Sequence, residues 1–426
     1  MTKITKRWRY LGIFIAALLT SAALHWGWHL FGENKSASEH VAQNGPVVSV
    51  CLPPFCDGPQ AVTPPERTPP TTVVPVTPSE AARRHVVMPT NFEALQYPRA
   101  EVQQGSTGFT NTNSTHQVCA FDLLHRYGTP YAIMQAWQQE ALVEGSMRPA
   151  LKMYVRAQTA LEDLNAGVCH AVWLPSELAE GIVPSATLQA FGAIPTAEHA
   201  RVLAQALSSA APNAEKWRNN DDYEQMGLVF TGPAYLIFNK PLNADSLPNL
   251  LVGRRLATVN KAQAYFARAM GALPVPVDAE YGPGKFNNGS VDGMFATVNM
   301  IAPLELNRGL SPEGAIFSVP MYQSSYQLIA HKGAFTTEQK EWSRQYFIDE
   351  VAPKMEKIIA QEQKWLESLP LVMPRANDIA SREELLQGIR LELKEEGVYN
   401  ADILTLIRKV RCKFDSSRRE CVSPVE

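Results

Sequence analysis

The sequence carries little net charge, −3 at pH 7 over 426 residues. It has no basic stripe with interleaved aromatics, so the electrostatic footprint of a nucleic-acid binder is missing. No Cys-x-x-Cys or His-x-x-x-His spacing accompanies its cysteines, which weakens a zinc reading. There is no Gly-x-Ser-x-Gly elbow and no His-Glu-x-x-His helix, which removes two common hydrolase designs. Gly282-Pro-Gly-Lys looks superficially like a phosphate loop, but Phe286 stands where a hydroxyl would hold magnesium, and the preceding spacing fails. Asp122 and His125 are spaced as an acid and a base, a spacing common by chance. No catalytic residue, metal or cofactor is assigned, and the chain is read as a non-enzyme.

What the sequence does contain is a repeated α/β unit. Gly253-Arg-Arg leads into a short apolar strand over 256–259, and Asn260 is placed to cap a helix over 261–270 that Gly271 stops. A strand over 274–277, a helix over 280–288 and a strand over 291–296 complete a β-α-β-α-β unit, which calls for a parallel sheet with right-handed crossovers. Leu164-Asn-Ala-Gly-Val-Cys-His-Ala-Val-Trp aligns with Phe286-Asn-Asn-Gly-Ser-Val-Asp-Gly-Met-Phe in the order of apolar, Asn, small, Gly and aromatic positions. In the first copy the preceding elements are strands over 118–124 and 151–155 and helices over 131–144 and 157–166. The repetition implies two similar lobes with a cleft between them.

The remaining elements fall around these units. A short helix follows the loop Pro175-Ser-Glu-Leu, 188–194 reads as a strand, 197–210 as a helix, and 235–240 and 324–330 as the strands that cross between lobes. A long helix is expected over 337–368, and two amphipathic helices over 382–396 and 401–410 should pack on the first lobe. The domain reading is therefore first lobe 116–235, second lobe 236–323, a return strand and helix 324–370 completing the first lobe, and a C-terminal helical extension 371–426.

The N-terminal 32 residues begin with Lys3, Lys6, Arg7 and Arg9 and then run uncharged from Tyr10 to Gly32, the pattern of a signal peptide or a membrane anchor. Ser21-Ala-Ala offers a cleavage site near Ala23, whereas Trp26 and Trp28 suit a membrane interface and favour an uncleaved inner-membrane anchor. Either reading exports the body of the protein to the periplasm. Residues 33–115 are a Pro-rich spacer. Six cysteines suit an oxidising compartment. A first-lobe strand order of 2-1-3 sets Cys119 beside Cys169; Cys412 and Cys421 flank a short polar loop, as do Cys51 and Cys56 a shorter one, and local pairing is expected although count alone leaves the connectivity open.

Ser246-Leu-Pro-Asn-Leu-Leu-Val-Gly-Arg-Arg-Leu-Ala-Thr, Met270-Gly-Ala-Leu-Pro-Val-Pro-Val and Asn288-Gly-Ser-Val-Asp-Gly resemble three stretches of the TRAP-type solute-binding family. Cys119-Ala-Phe-Asp, Gly284-Lys-Phe-Asn-Asn-Gly-Ser-Val-Asp, Gly397-Val-Tyr-Asn, Val410-Arg-Cys-Lys-Phe-Asp and Arg419-Glu-Cys resemble a family of uncharacterised solute-binding proteins, some described as related to efflux pumps. The resemblance covers roughly residues 118–421 and implies a two-lobed periplasmic-binding-protein fold of the second type. The arginine that holds a carboxylate in TRAP-type proteins falls at Ala257, and a Glu-Asn pair of that family is replaced by Phe295-Ala296.

In open α/β sheets ligands gather at the carboxyl ends of strands. That rule selects His125, Arg126, Tyr127, Trp173 and Ser176 in the first lobe and Asn260, Lys261, Thr297 and Asn299 in the second, with the helix N-terminus at Asn260 offering backbone donors to an anion. Tyr326 and Gln327 lie on a crossing strand. The expected function is capture of a small organic solute between the lobes for a membrane transporter; the alternative is a tethered envelope scaffold, or an accessory part of a transport or efflux complex, that keeps the fold.

Overall fold

Strand β1 (His116–Phe121) pairs in parallel with β2 (Pro149–Tyr154) on one side and β3 (Ala171–Pro175) on the other, linked by helices α1 (Thr129–Val143) and α2 (Ala157–Asn165). The order 2-1-3 follows from two right-handed crossovers around a central first strand. The computed structural model describes residues 115–242, 246–374 and 378–426. The basic flank, the uncharged run, the spacer up to residue 114 and Cys51 with Cys56 lie outside the described residues. Among the described residues no helix is long and apolar enough to cross a membrane.

After α3 (Ala197–Ser208) and α4 (Glu215–Arg218), the chain enters β4 (Tyr223–Phe238), a strand of 16 residues. The second unit then repeats the first. A short α5 (Leu247–Leu251) leads to β5 (Arg255–Thr258), α6 (Lys261–Ala269), β6 (Leu273–Pro276), α7 (Gly282–Asn287) and β7 (Gly293–Thr297). Here too the first strand of the unit is central, with β6 and β7 parallel on its flanks. The two glycines of the ten-residue match occupy the same left-handed conformation, φ 71° at Gly167 and 75° at Gly289. Both end a helix that turns directly into a buried strand, a geometry that a Cβ would strain.

Short helices α8 (Val298–Ile301) and α9 (Leu306–Leu310) and strand β8 (Ala315–Phe317) lead to β9 (Tyr322–His331). This strand lies between β3 and β4 and is antiparallel to both. Eight strands of the sheet therefore run β2-β1-β3-β9-β4-β7-β5-β6, with β8 paired to the end of β4 and Leu371–Val372 to β8 off this path, and β4 belongs to both halves: its first part pairs with β9 and its last residues with β7. The ladder is bulged between Phe230 and Gly232, where φ is 109° at Gly232.

The expected helix over 337–368 is α10 (Thr337–Tyr346) and α11 (Ala352–Leu366), joined by a π-turn at Phe347–Val351. The extra residue of the π-turn coincides with Phe347, whose ring lies against Gly227 so closely that a Cβ there would clash. The run 188–194, expected as a strand, is a 3₁₀ turn (Pro184–Gln189) and a buried irregular segment. A short apolar run buried on all sides has no period to separate the two conformations.

After β10 (Leu371–Val372), the C-terminal extension is α12 (Ile379–Glu395), α13 (Ala401–Phe414) and α14 (Arg419–Val422). Helix α13 packs on α3 and the 3₁₀ turn of the first lobe, but α12 packs on α6 of the second. The expectation that both rest on the first lobe is thus corrected: Leu386, Ile389, Leu393, Ile403 and Val410 share one core with Leu203 and Phe266 from both lobes. The bridges Cys119–Cys169 and Cys412–Cys421 are both formed, with Cα atoms 5.9 and 5.6 Å apart. Cys119, Cys169 and Asp163 form the one group of three metal-ligand types among the described residues, and two of its members are in the first disulfide.

Candidate functional site

The carboxyl ends of β1, β3, β5 and β7 face one another across a cleft enclosing a cavity of about 160 Å³. A dry engineered cavity of about 150 Å³ accepts benzene, so the space suits a small molecule or one part of a larger one. Thr231 and Ala234 of β4 and Tyr322, Ser324 and Tyr326 of β9 line it where the strands cross between lobes. Asp122 and Glu177 line it from the first lobe, Gln263 and Thr297 from the second, and Glu362 from α11.

Three carboxyls thus reach one cavity from three elements. Asp122 follows β1, and its oxygens accept hydrogen bonds from the backbone N–H of Leu124 (2.8 Å) and Tyr131 (2.9 Å). Burial pushes its pKa up to about 6 against those two bonds. Glu177, just beyond β3, is 7% exposed, and its Oε2 has no hydrogen-bond partner. Burial raises it to about 7, opposed by the hydroxyls of Ser324 and Tyr322. Glu362 is 2% exposed, its Oε1 likewise lacks a partner, and burial alone raises it to about 8. Among the described residues no Lys, Arg or His lines the cavity.

The consequence for stability has a definite sign. Each of these carboxyls binds its proton more tightly folded than unfolded, so their contribution to the stability of the ligand-free protein is fully present below the unfolded carboxyl pKa of about 4.3 and is lost as pH rises toward 8. Glu362→Gln, which holds the neutral shape, is expected to raise the melting temperature by a few degrees at about pH 8 and to leave it unchanged at about pH 5. Differential scanning calorimetry at the two pH values checks this; an equal shift at both would mean that ionisation of Glu362 is not the cause.

Across the cleft the lobes touch. Asn260 caps α6 through Gln263 N–H and donates from Nδ2 to the carbonyl of Glu177 (2.8 Å) and to Gln189 Oε1 (3.0 Å). The free N–H groups of Lys261 and Ala262 donate to the carboxylate of Glu180 from the first lobe (3.3 and 3.2 Å). The anion expected at this helix N-terminus is therefore the chain's own side chain. Arg156 pairs with Glu280 at 3.0 Å.

Of the residues selected from sequence, Tyr127, Thr297, Asn299 and Tyr326 line the cavity. Thr297 donates to Asn299 Oδ1 at 2.5 Å, and Tyr127 is 55% exposed at the rim. His125 and Arg126 are exposed on the adjoining 3₁₀ turn, outside the lining, and Lys261 is exposed beyond its backbone contact. Ser176 and Gln327 form a buried network with Ser325 and Ser185 behind the cleft. Trp173 is fully buried one layer back, its ring 5.3 Å from Tyr326 and its Nε1 donating to the Pro130 carbonyl. Glu177, Gln263, Tyr322, Ser324 and Glu362 were not selected from sequence. The clearest signal was Glu362, which interrupts the apolar stripe Met355, Ile358, Ile359, Trp365 and Leu366 of α11. Ala257, Phe295 and Ala296, the positions that depart from the TRAP-type pattern, all line the cavity.

The chain is 28% identical over 311 residues to the "Probable solute-binding protein AdeT1" of Acinetobacter baumannii, covering 71% of this chain and 98% of that one. A second relative from the same organism, "Probable solute-binding protein AdeT2", is 26% identical over 235 residues, 54% of this chain and 95% of the relative. Among solved structures, the fold matches a TRAP solute-binding protein of Desulfovibrio salexigens with bound orotic acid (TM-score 0.58, 14% identity, 70% of this chain and 99% of that one). It also matches the ectoine-binding protein of the TeaABC TRAP transporter of Halomonas elongata (TM-score 0.57, 13% identity, 70% and 99%). The family model for solute-binding protein AdeT 1/2 matches residues 134–426, and the chain belongs to that family of solute-binding proteins.

Proposed function

We propose that the protein is exported by its first 32 residues and captures a small, largely apolar solute between its lobes in the periplasm, passing it to a membrane transporter. The carrying observation is the cavity where strand ends of both lobes meet, walled by apolar side chains but holding buried polar atoms without partners. A scaffold that merely retained the fold would have no use for carboxyls left unsatisfied in a cavity. On this reading solute touches Tyr127, Thr297, Asn299 and Tyr326 together with Glu177, Gln263 and Glu362, all of which line the cavity.

Full-length protein is expected to show a melting shift of a few degrees with a binding solute. At about a hundred times the dissociation constant the ligand adds roughly 2.7 kcal/mol. Ala257→Phe, which extends a ring into the cavity from β5, should abolish the shift while the variant still unfolds cooperatively. A broad solute library that produces no shift on the parent protein would favour the scaffold.

A further inference from the structure

We infer that the solute is an organic cation, a protonated amine on a compact apolar body, held by the carboxyls of Glu177 and Glu362 with Asp122 behind them. This rests on the proposal that the cleft binds solute. Among the described residues the lining holds three carboxyls and no Lys, Arg or His, so a carboxylate ligand would meet only like charge. Asp122 spends both oxygens on backbone N–H groups, which fixes its position. Glu177 and Glu362 line the cavity and are each more than nine-tenths buried, and Glu177 Oε2 and Glu362 Oε1 accept nothing from the protein. Such atoms ask for a donor, and an ammonium N–H is the donor whose charge also repays the desolvation of the carboxylate. The rest of the wall suits the body of such a molecule, with Met294, Met300, Met355, Phe295, Tyr322 and Tyr326.

The binding has a proton signature. The empty cleft holds its glutamates partly protonated near neutrality, and only the ionised form pairs with an ammonium, so binding releases protons. The titratable groups facing the three carboxyls are Tyr235, Tyr322 and Tyr326, whose phenols burial keeps protonated; no basic side chain opposes the shift.

Full-length protein is titrated calorimetrically with 2-phenylethylamine, 2-phenylethanol and 3-phenylpropionate, which share a ring and differ in head group, and with 1,6-diaminohexane. One or both amines are expected to bind, with affinity rising up to about tenfold per pH unit for each proton released as pH goes from about 6 to about 8. Glu177→Gln and Glu362→Gln should each weaken amine binding roughly tenfold to a hundredfold while unfolding cooperatively like the parent. Binding of the alcohol or the acid without the amines, or an affinity that falls with rising pH, overturns the cation assignment and leaves cleft binding standing. No response to either amine while the solute library gives shifts that Ala257→Phe removes also overturns it. No shift with any solute overturns cleft binding itself.

Discussion

Replacing Arg411 with Ala is expected to destabilise the protein by about 3 kcal/mol, the lower end of what breaking a buried ion pair costs. Arg411 is 1% exposed on α13 and uses all its nitrogens: Nε and Nη2 grip both oxygens of Glu420 at 2.6 and 2.7 Å, Nη2 also reaches Glu426 Oε2 at 2.5 Å, and Nη1 donates to the Ala193 carbonyl at 2.7 Å. Removing it strands carboxylate charge in a site closed to water. Arg418 still holds Glu420 and Arg390 still holds Glu426, which keeps the cost from being larger. Burial works to raise the Glu420 carboxyl, but the guanidinium bonds prevail and hold it at about 2. Its contribution is therefore present above the unfolded carboxyl pKa and lost as pH falls toward 2. Urea unfolding of parent and variant should show a lower midpoint with an unchanged slope. A loss below about 1 kcal/mol would mean that the cluster is surface decoration.

Trp173→Ala should cost about 3–5 kcal/mol in the absence of any ligand. The indole is 0% exposed, stacked on Phe347 at 5.3 Å and tilted against Tyr326, and it joins the core formed by α1, β9 and the π-turn. Truncation leaves a void between three elements and orphans the Pro130 carbonyl that Nε1 caps. Because Tyr326 lines the cavity and leans on this ring, the variant should also bind solute more weakly. Thermal melts without ligand separate the two effects. An unchanged ligand-free melting temperature would place the indole on the cleft wall instead of behind it.

The position of Trp173 illustrates what periodicity and topology can tell. The end of β3 was legible as an edge that opens on the cleft, because strand order and the carboxyl-end rule fix which edge that is. Which side of the strand each residue presents was not, since β3 is buried on both faces and its residues read as one apolar run. The same limit hid the first three quarters of β4. The strand expected over 235–240 is the end of β4, which begins at Tyr223; upstream, Gly227 accommodates Phe347 and Gly232 the bulge where the strand passes between lobes. The repeat was legible because a helix ending in a left-handed glycine before a buried strand leaves the same mark twice. Glu180 at the N-terminus of α6 was not, because nothing in local sequence announces a partner 81 residues away.

The two crossings, β4 and β9, lie side by side and are hydrogen-bonded from Tyr223↔His331 to Ala234↔Tyr322. A ribbon of that kind behaves like a leaf spring. It flexes readily across its width, most of all at the bulge by Gly232, yet it resists sliding along its length, because a slip of one residue would break the ladder and turn every side chain to the opposite face. The ribbon therefore holds the two lobes in one register, and the meeting of Asn260 with the Glu177 carbonyl and the place of Glu362 on the cavity wall are set by the sheet itself, ahead of any solute.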